Sequence, residues 1–339
     1  MPLSRRALLL SLLTLIVLCG GALLWRFVLF PPIHPEFAQT LFKQRFAGED
    51  RAMSMRFHQA SKRLLIGMES GAVHIWDATQ REPHRSLQAH QYRVEHLQFS
   101  HDGDSFFSNS GFEDVTRLWE SDSGKLLATI ANARGPAAQG PEEDLYLLGS
   151  DDGFLLYSLE QRRVLTGRES SGSTTALAAS PDTGMVAVGT ASGSIQLWQF
   201  SKREDLIPLH LLGEIKPYEP GTWILALGFS QDGQHLISAN RKGVVTEWNV
   251  PDLSKHRDLP STLKWAHQAT FADGMPWLSL AGTLDPRGTK EPKVELINLE
   301  KGEALRFKAR SNYSVAEMIE PLSMGFIAHG RRITGATLD

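Results

Sequence analysis

Phe229-Ser230-Gln231-Asp232-Gly233, followed through Lys242-Gly243 by Thr246-Glu247-Trp248-Asn249, decides how this sequence folds. An apolar residue enters a polar turn, a second strand enters a glycine turn, and a third strand ends on a large aromatic. The pattern recurs upstream. Ala179-Ser180-Pro181-Asp182-Thr183-Gly184 runs through Ser192-Gly193 to Gln196-Leu197-Trp198, and Phe99-Ser100-His101-Asp102-Gly103 runs to Arg117-Leu118-Trp119-Glu120. Ser70-Gly71 precedes His74-Ile75-Trp76-Asp77, and Asp152-Gly153 precedes Leu155-Leu156-Tyr157. The aromatic positions 76, 119, 157, 198 and 248 are therefore 43, 38, 41 and 50 residues apart. Self-similarity at such a period marks a repeat architecture. The intervening runs are apolar (Leu64-Leu65-Ile66, Val186-Ala187-Val188, Leu236-Ile237), as sheets packed face to face require. Asp-Gly and Ser-Gly pairs supply the positive φ of tight hairpins. Two weaker copies follow, Glu295-Leu296-Ile297-Asn298 and the stretch around Arg332-Ile333-Thr334.

These copies resemble the WD-repeat β-propeller family, whose repeats of about 40–45 residues carry a strand ending in Trp-Asp. The resemblance covers residues 37–339 and implies an all-β fold. Those 303 residues divided by seven give 43 per repeat, so a seven-bladed propeller is expected. Residues 37–47 read as an outer strand with no partners before it, and residues 313–339 as three strands lacking an outer one. Pairing the two would close the ring and remove its free edges. One large aromatic per blade fills the wedge between sheets, which assigns structural roles to Trp76 with Asp77, Trp119, Tyr157, Trp198 and Trp248. The resemblance further implies a buried hydrogen-bonded set in the second blade, formed by His90, Ser108, Asp114 and Trp119. Trp-Asp is intact only at Trp76-Asp77, so the remaining blades are expected to rely on apolar packing.

The first 36 residues read differently. Residues 1–6 form a short tail, 7–30 a transmembrane signal-anchor helix and 31–36 a Pro-rich linker. Ala7 to Trp25 are nineteen residues without a charge, close to the roughly 20 that cross a bilayer as a helix. A cleaved signal peptide with a site at Gly20-Gly21-Ala22 competes, but the apolar run continues through Leu23, Leu24 and Trp25. Arg5 and Arg6 precede the run and Arg26 alone follows it closely. The positive-inside rule then places the N-terminus in the cytoplasm and the propeller outside it, in a bacterial envelope the periplasmic side of the inner membrane.

Composition excludes more than it identifies. Thirty-five Lys and Arg against thirty-eight Asp and Glu give a net charge of −3, without the basic domain a nucleic-acid binder carries. Cys19 is the single cysteine, which excludes an intrachain disulfide framework and a cysteine-based zinc site. No His-Glu-x-x-His, calcium loop, P-loop or Gly-x-Ser-x-Gly motif occurs in the globular part. Asp151-Asp152-Gly153 sits where the other blades have a hairpin turn and is read as one. No catalytic, metal or cofactor residue is assigned, and an enzyme is not expected.

In the family that this sequence resembles, the residues just before each innermost strand line an upper rim that contacts partners. Position by position this implies Arg51, Arg93, Trp223, His267 and Tyr313, with Tyr92 beside Arg93. Trp, Tyr and Arg are the types enriched at binding hot spots. The expected function is a non-catalytic protein–protein interaction scaffold or accessory subunit of a membrane complex. Two alternatives stand beside it: an exported enzyme or ligand-binding propeller with its site at the central channel, and a cytosolic scaffold tethered to an internal membrane. Two insertions interrupt the repeat, 201–221 and 282–293. The first holds the apolar run Leu206 to Leu212 and reads as an extended outer strand or a docking surface.

Overall fold

The computed structural model describes residues 50–77, 82–201, 209–271, 276–287 and 292–308, together with strands Thr40–Arg45, Ser314–Ile319, Met324–His329 and Arg332–Thr337. The chain divides into two units, Met1–Phe37 and Ala38–Asp339.

Each repeat of the sequence becomes a four-stranded sheet. In blade one, Ala52–His58, Arg63–Met68, Ala72–Asp77 and Glu82–Gln88 hydrogen-bond in chain order, every neighbour antiparallel. The same order recurs in blades two to six, at 96–131, 137–169, 174–215, 224–259 and 265–308. Second strands such as Met185–Thr190 and Leu145–Gly149 are buried along their whole length, because both sheet faces are covered by a neighbouring blade. Gly71 shows what the connecting turns demand. It has φ of 87°, and a Cβ there would stand 2.1 Å from the His90 carbonyl oxygen. Only glycine fits.

The repeated aromatic has a backbone signature. The pairing of the third with the outer strand shifts register at Ile75/Trp76, Leu118/Trp119, Leu156/Tyr157, Leu197/Trp198 and Glu247/Trp248. Blade six carries Ile297 there instead, and its corresponding strands pair without a shift. An extra residue on one strand bends and twists the pair locally, which re-aims the side chain beside it.

The core is built between blades. Trp119 of blade two packs with Leu65, Val73 and Ile75 of blade one, and Trp198 of blade four with Leu145, Leu147 and Phe154 of blade three. Trp248 of blade five joins Ala176, Ile195 and Leu197 of blade four. Tyr157 of blade three meets Phe107 of blade two edge to face, with ring centroids 5.9 Å apart, and Phe154 meets Trp198 at 5.6 Å. Burying each large ring against the next sheet is the main term that fixes blade to blade.

The expected seven-bladed ring behind a transmembrane helix is corrected in both parts. Among the described residues six blades, not the expected seven, are four-stranded sheets of consecutive strands. Division of the residue count by seven assumed a uniform repeat, whereas the aromatic spacing varies from 38 to 50. The four remaining strands hydrogen-bond in the order Thr40–Arg45, Arg332–Thr337, Met324–His329, Ser314–Ile319, and their side chains lie outside the described residues. No helix among the described residues is long and apolar enough to cross a membrane, and the expected span at 7–30 lies outside them. Of the first insertion, Leu209–Ile215 forms the outer strand of blade four, with Leu211 and Leu212 exposed.

Candidate functional site

The start of each inner strand and the turn after each second strand meet at one end of the sheets. Backbone bonds define equivalent places around this rim. Glu69 donates its N–H to the Arg51 carbonyl at 2.8 Å, Ala191 to Ser173 at 2.9 Å, and Arg241 to Trp223 at 2.9 Å. Arg51, Ser173 and Trp223 thus occupy one position of the repeat, and Glu69, Ala191 and Arg241 another.

Blade one closes its rim with charge. Arg51 Nε donates to Glu69 Oε2 at 2.6 Å while a terminal nitrogen reaches Oε1. The Arg51 hydrogen bond holds the Glu69 carboxyl below its ordinary value, and Arg93 adds to the effect. Blade two is more apolar. Tyr92 and Phe112, 47% and 56% exposed, bring their rings to 5.7 Å. The Arg93 guanidinium lies 4.7 Å from the Phe112 centroid while its Nε donates to Glu95 Oε1 at 2.6 Å. Blade five presents Trp223, 38% exposed, with the Arg241 guanidinium 3.8 Å above its ring and 5.3 Å from Trp265. His267 is half-buried on the inner strand Trp265–Phe271 of blade six. Tyr313 lies outside the described residues.

Buried hydrogen bonds hold these loops. His90 Nδ1 lies 2.6 Å from an Arg117 guanidinium nitrogen. Nε2 of the same ring lies 2.8 Å from the Ser108 hydroxyl, which accepts from Trp119 Nε1 at 2.8 Å. The carboxylate of the set is Glu113, not the expected Asp114. Glu113 lies 3.1 Å from His90 Nδ1, pairs with Arg117, and accepts the Gln91 N–H at 2.6 Å, whereas Asp114 is exposed. The 110–113 hairpin turn points position 113 inward and 114 outward. The set therefore ties the loop carrying Tyr92 to the turn carrying Phe112.

A second set of this kind was not foreseen. In blade five Tyr218 stands within 3.1 Å of the Ser238 hydroxyl and donates to Thr246 at 3.1 Å; Trp248 Nε1 donates to Ser238 at 2.9 Å. Burial pushes the Tyr218 hydroxyl above its ordinary pKa. Tyr218 comes from the 201–221 insertion and anchors the loop that ends in Trp223. The other aromatic positions differ: Trp198 donates to Gln196 at 3.3 Å, Tyr157 packs in an apolar cluster with Phe107, and Trp76 is buried. Sequence reasoning also missed Glu69, Glu95, Phe112, Arg241 and Trp265. Phe112 alone carried a readable signal, a large apolar residue at a hairpin tip.

The sets make stability sensitive to acid. Burial lowers the His90 pKa. Burial raises that of Glu113, but the Gln91 N–H, Arg117 and His90 outweigh it and leave that carboxyl below its ordinary value. Both groups bind fewer protons folded than unfolded, so unfolding takes up protons. Their stabilisation is complete above the ordinary values of 6.5 and 4.5 and is lost as pH falls through the folded ones. The thermal midpoint should therefore fall between pH 7 and pH 5, and H90Q should flatten part of that fall. His74 and His96, also lowered by burial, account for the remainder. An unchanged slope in H90Q would contradict the assignment.

At the opposite ends of the strands His101, Asp102, Glu143, Asp144, Tyr146, Leu159 and Glu160 line a cleft of about 280 Å³. No three His, Cys, Asp or Glu among the described residues are grouped to hold a metal.

The family model for "WD domain, G-beta repeat" matches residues 159–199, the outer strand of blade three plus the first three strands of blade four. The match at 159–199 and the four-stranded sheets support a WD-repeat β-propeller family for this chain. Its repeat is offset by one strand from the blade. The propeller is 26% identical over 210 residues to apoptotic protease-activating factor 1 of Homo sapiens, covering 59% of this chain and 14% of that protein. It is 24% identical over 246 residues to the B-type cell cycle switch protein ccs52A of Medicago truncatula, covering 69% and 49%. It is 32% identical over 81 residues to ribosome assembly protein 4 of Chaetomium thermophilum, covering 21% and 16%. The chain spans less than half the length of each of these relatives.

Proposed function

We propose that this propeller is a non-catalytic interaction scaffold that holds a protein partner on the rim formed by Tyr92, Phe112, Arg93 and Trp223. The observation that carries the reading is the Tyr92–Phe112 pair with Arg93 over the Phe112 ring: two exposed aromatic rings held in place by a buried hydrogen-bonded set. Exposed aromatics cost solvation, and fixing them in advance removes the ordering cost that a partner would otherwise bear. A finer reading, an accessory subunit of a membrane complex with the propeller outside the cytoplasm, rests on the uncharged stretch Ala7–Trp25. Protease protection of a reporter fused after Asp339 tests that part.

The rim is tested by affinity purification of the full chain from detergent-solubilised cells. Y92A and F112A are each expected to lower recovery of the associated protein about five- to tenfold, in the range of a hot-spot truncation. E160A, in the opposite cleft, should leave recovery unchanged. Recovery of the chain alone, with turnover of a defined small molecule, would refute the scaffold reading.

A further inference from the structure

Blades one and five fill equivalent places on the rim with opposite chemistry. In blade one the pair is Arg51 with Glu69, a closed ion pair. In blade five it is Trp223 with Arg241, a guanidinium stacked on an indole. The backbone leaves Arg241 little freedom: its N–H donates to Trp223 at 2.9 Å and its carbonyl accepts from Ala266 at 2.8 Å, linking blades five and six. The neighbouring arginines of this face are all matched to acids, Arg93 to Glu95, Arg117 to Glu113 and Arg134 to Asp151. The Arg241 side chain, among the described residues, has no hydrogen bond or ion pair, and its Nε is buried without a partner. Burial lowers its pKa, yet an arginine stays charged. A half-buried cation with no counter-ion is costly to keep unless something supplies one.

We propose that Arg241, stacked on Trp223 beside Trp265, receives the side-chain carboxylate of an acidic segment of the protein partner. The assignment rests on the rim reading above and adds the chemistry recognised. A planar guanidinium held against a ring leaves its two terminal nitrogens to donate, a pair that a carboxylate accepts bidentately. The two nearby indoles favour apolar neighbours next to that acid. A single negative charge fits better than two, because Arg241 stands in the field of Glu95, which repels a dianion more strongly.

Random heptapeptides displayed on phage and selected on the full chain test this. Selection on the natural protein should fix Asp or Glu at one position beside an apolar residue, and selection on R241A should not. The selected peptide is then made with its C-terminus amidated in three forms, bearing the acid, its amide, and phosphoserine at that position. The natural protein should bind the acid at least tenfold more tightly than the amide. R241A should show no such preference, and R241K, which keeps the charge but loses the stacking, should fall between them. R241Q replaces R241A if the alanine variant unfolds below room temperature. Failure to select an acid, an acid preference surviving in R241A, or tighter binding of the phosphoserine form would each overturn the assignment. Rim variants that leave partner recovery intact refute the rim reading itself, whereas an Arg241-independent acid preference refutes this assignment alone.

Discussion

Trp119→Ala is expected to destabilise the propeller by about 3–5 kcal/mol, the range for truncating a buried tryptophan. Three losses coincide at this residue. The ring is 7% exposed and packs on Leu65, Val73 and Ile75 of the preceding blade, so its removal opens a cavity between two sheets. Its Nε1 bond to Ser108 disappears, leaving that buried hydroxyl one donor short. His90, oriented through the same hydroxyl, then loosens its hold on Glu113 and the 90–93 loop. Trp119→Phe keeps most of the packing and loses the hydrogen bond, so it should cost roughly 1–3 kcal/mol. Denaturant unfolding followed by circular dichroism separates the two variants. Equal midpoints for Trp119→Ala and the natural protein would show that the wedge between blades one and two is not held as described.

Trp223→Ala should act almost entirely on binding. Truncation of a rim hot spot costs about 2 kcal/mol or more, roughly 30-fold in partner affinity. The effect on folding should be small, because Trp223 is 38% exposed and its carbonyl still accepts from Arg241 in the alanine variant. Isothermal titration of the recovered partner against both proteins, with a thermal melt of each, gives the two numbers. A large fall in the midpoint without a change in affinity would make Trp223 a packing residue.

The propeller was legible in the sequence because every blade solves the same packing problem locally. The aromatics at 76, 119, 157, 198 and 248, and the turn glycines before them, repeat that solution often enough to be read from one chain. The count of blades was not legible, since equal division says nothing about unequal repeats. Glu113 was mistaken for Asp114 because two adjacent acids on a turn differ only in which way the backbone points them. Tyr218 was missed because it enters blade five from an insertion, outside the repeat that sequence comparison follows. Arg241 carries no signal of its own in the sequence, where it is a charged residue next to Lys242. Its character depends on Trp223, just before the inner strand of blade five, and on Trp265 of blade six, which meets it only when the two blades pack.

Site-specific photocrosslinking tests the central claim most directly. A photoreactive residue is placed at Tyr92, at Phe112, or at Glu160 in the opposite cleft of the full chain in cells. The scaffold account predicts one covalent protein adduct from positions 92 and 112 and none from 160. An adduct from 160 alone, or none from the rim, would contradict it.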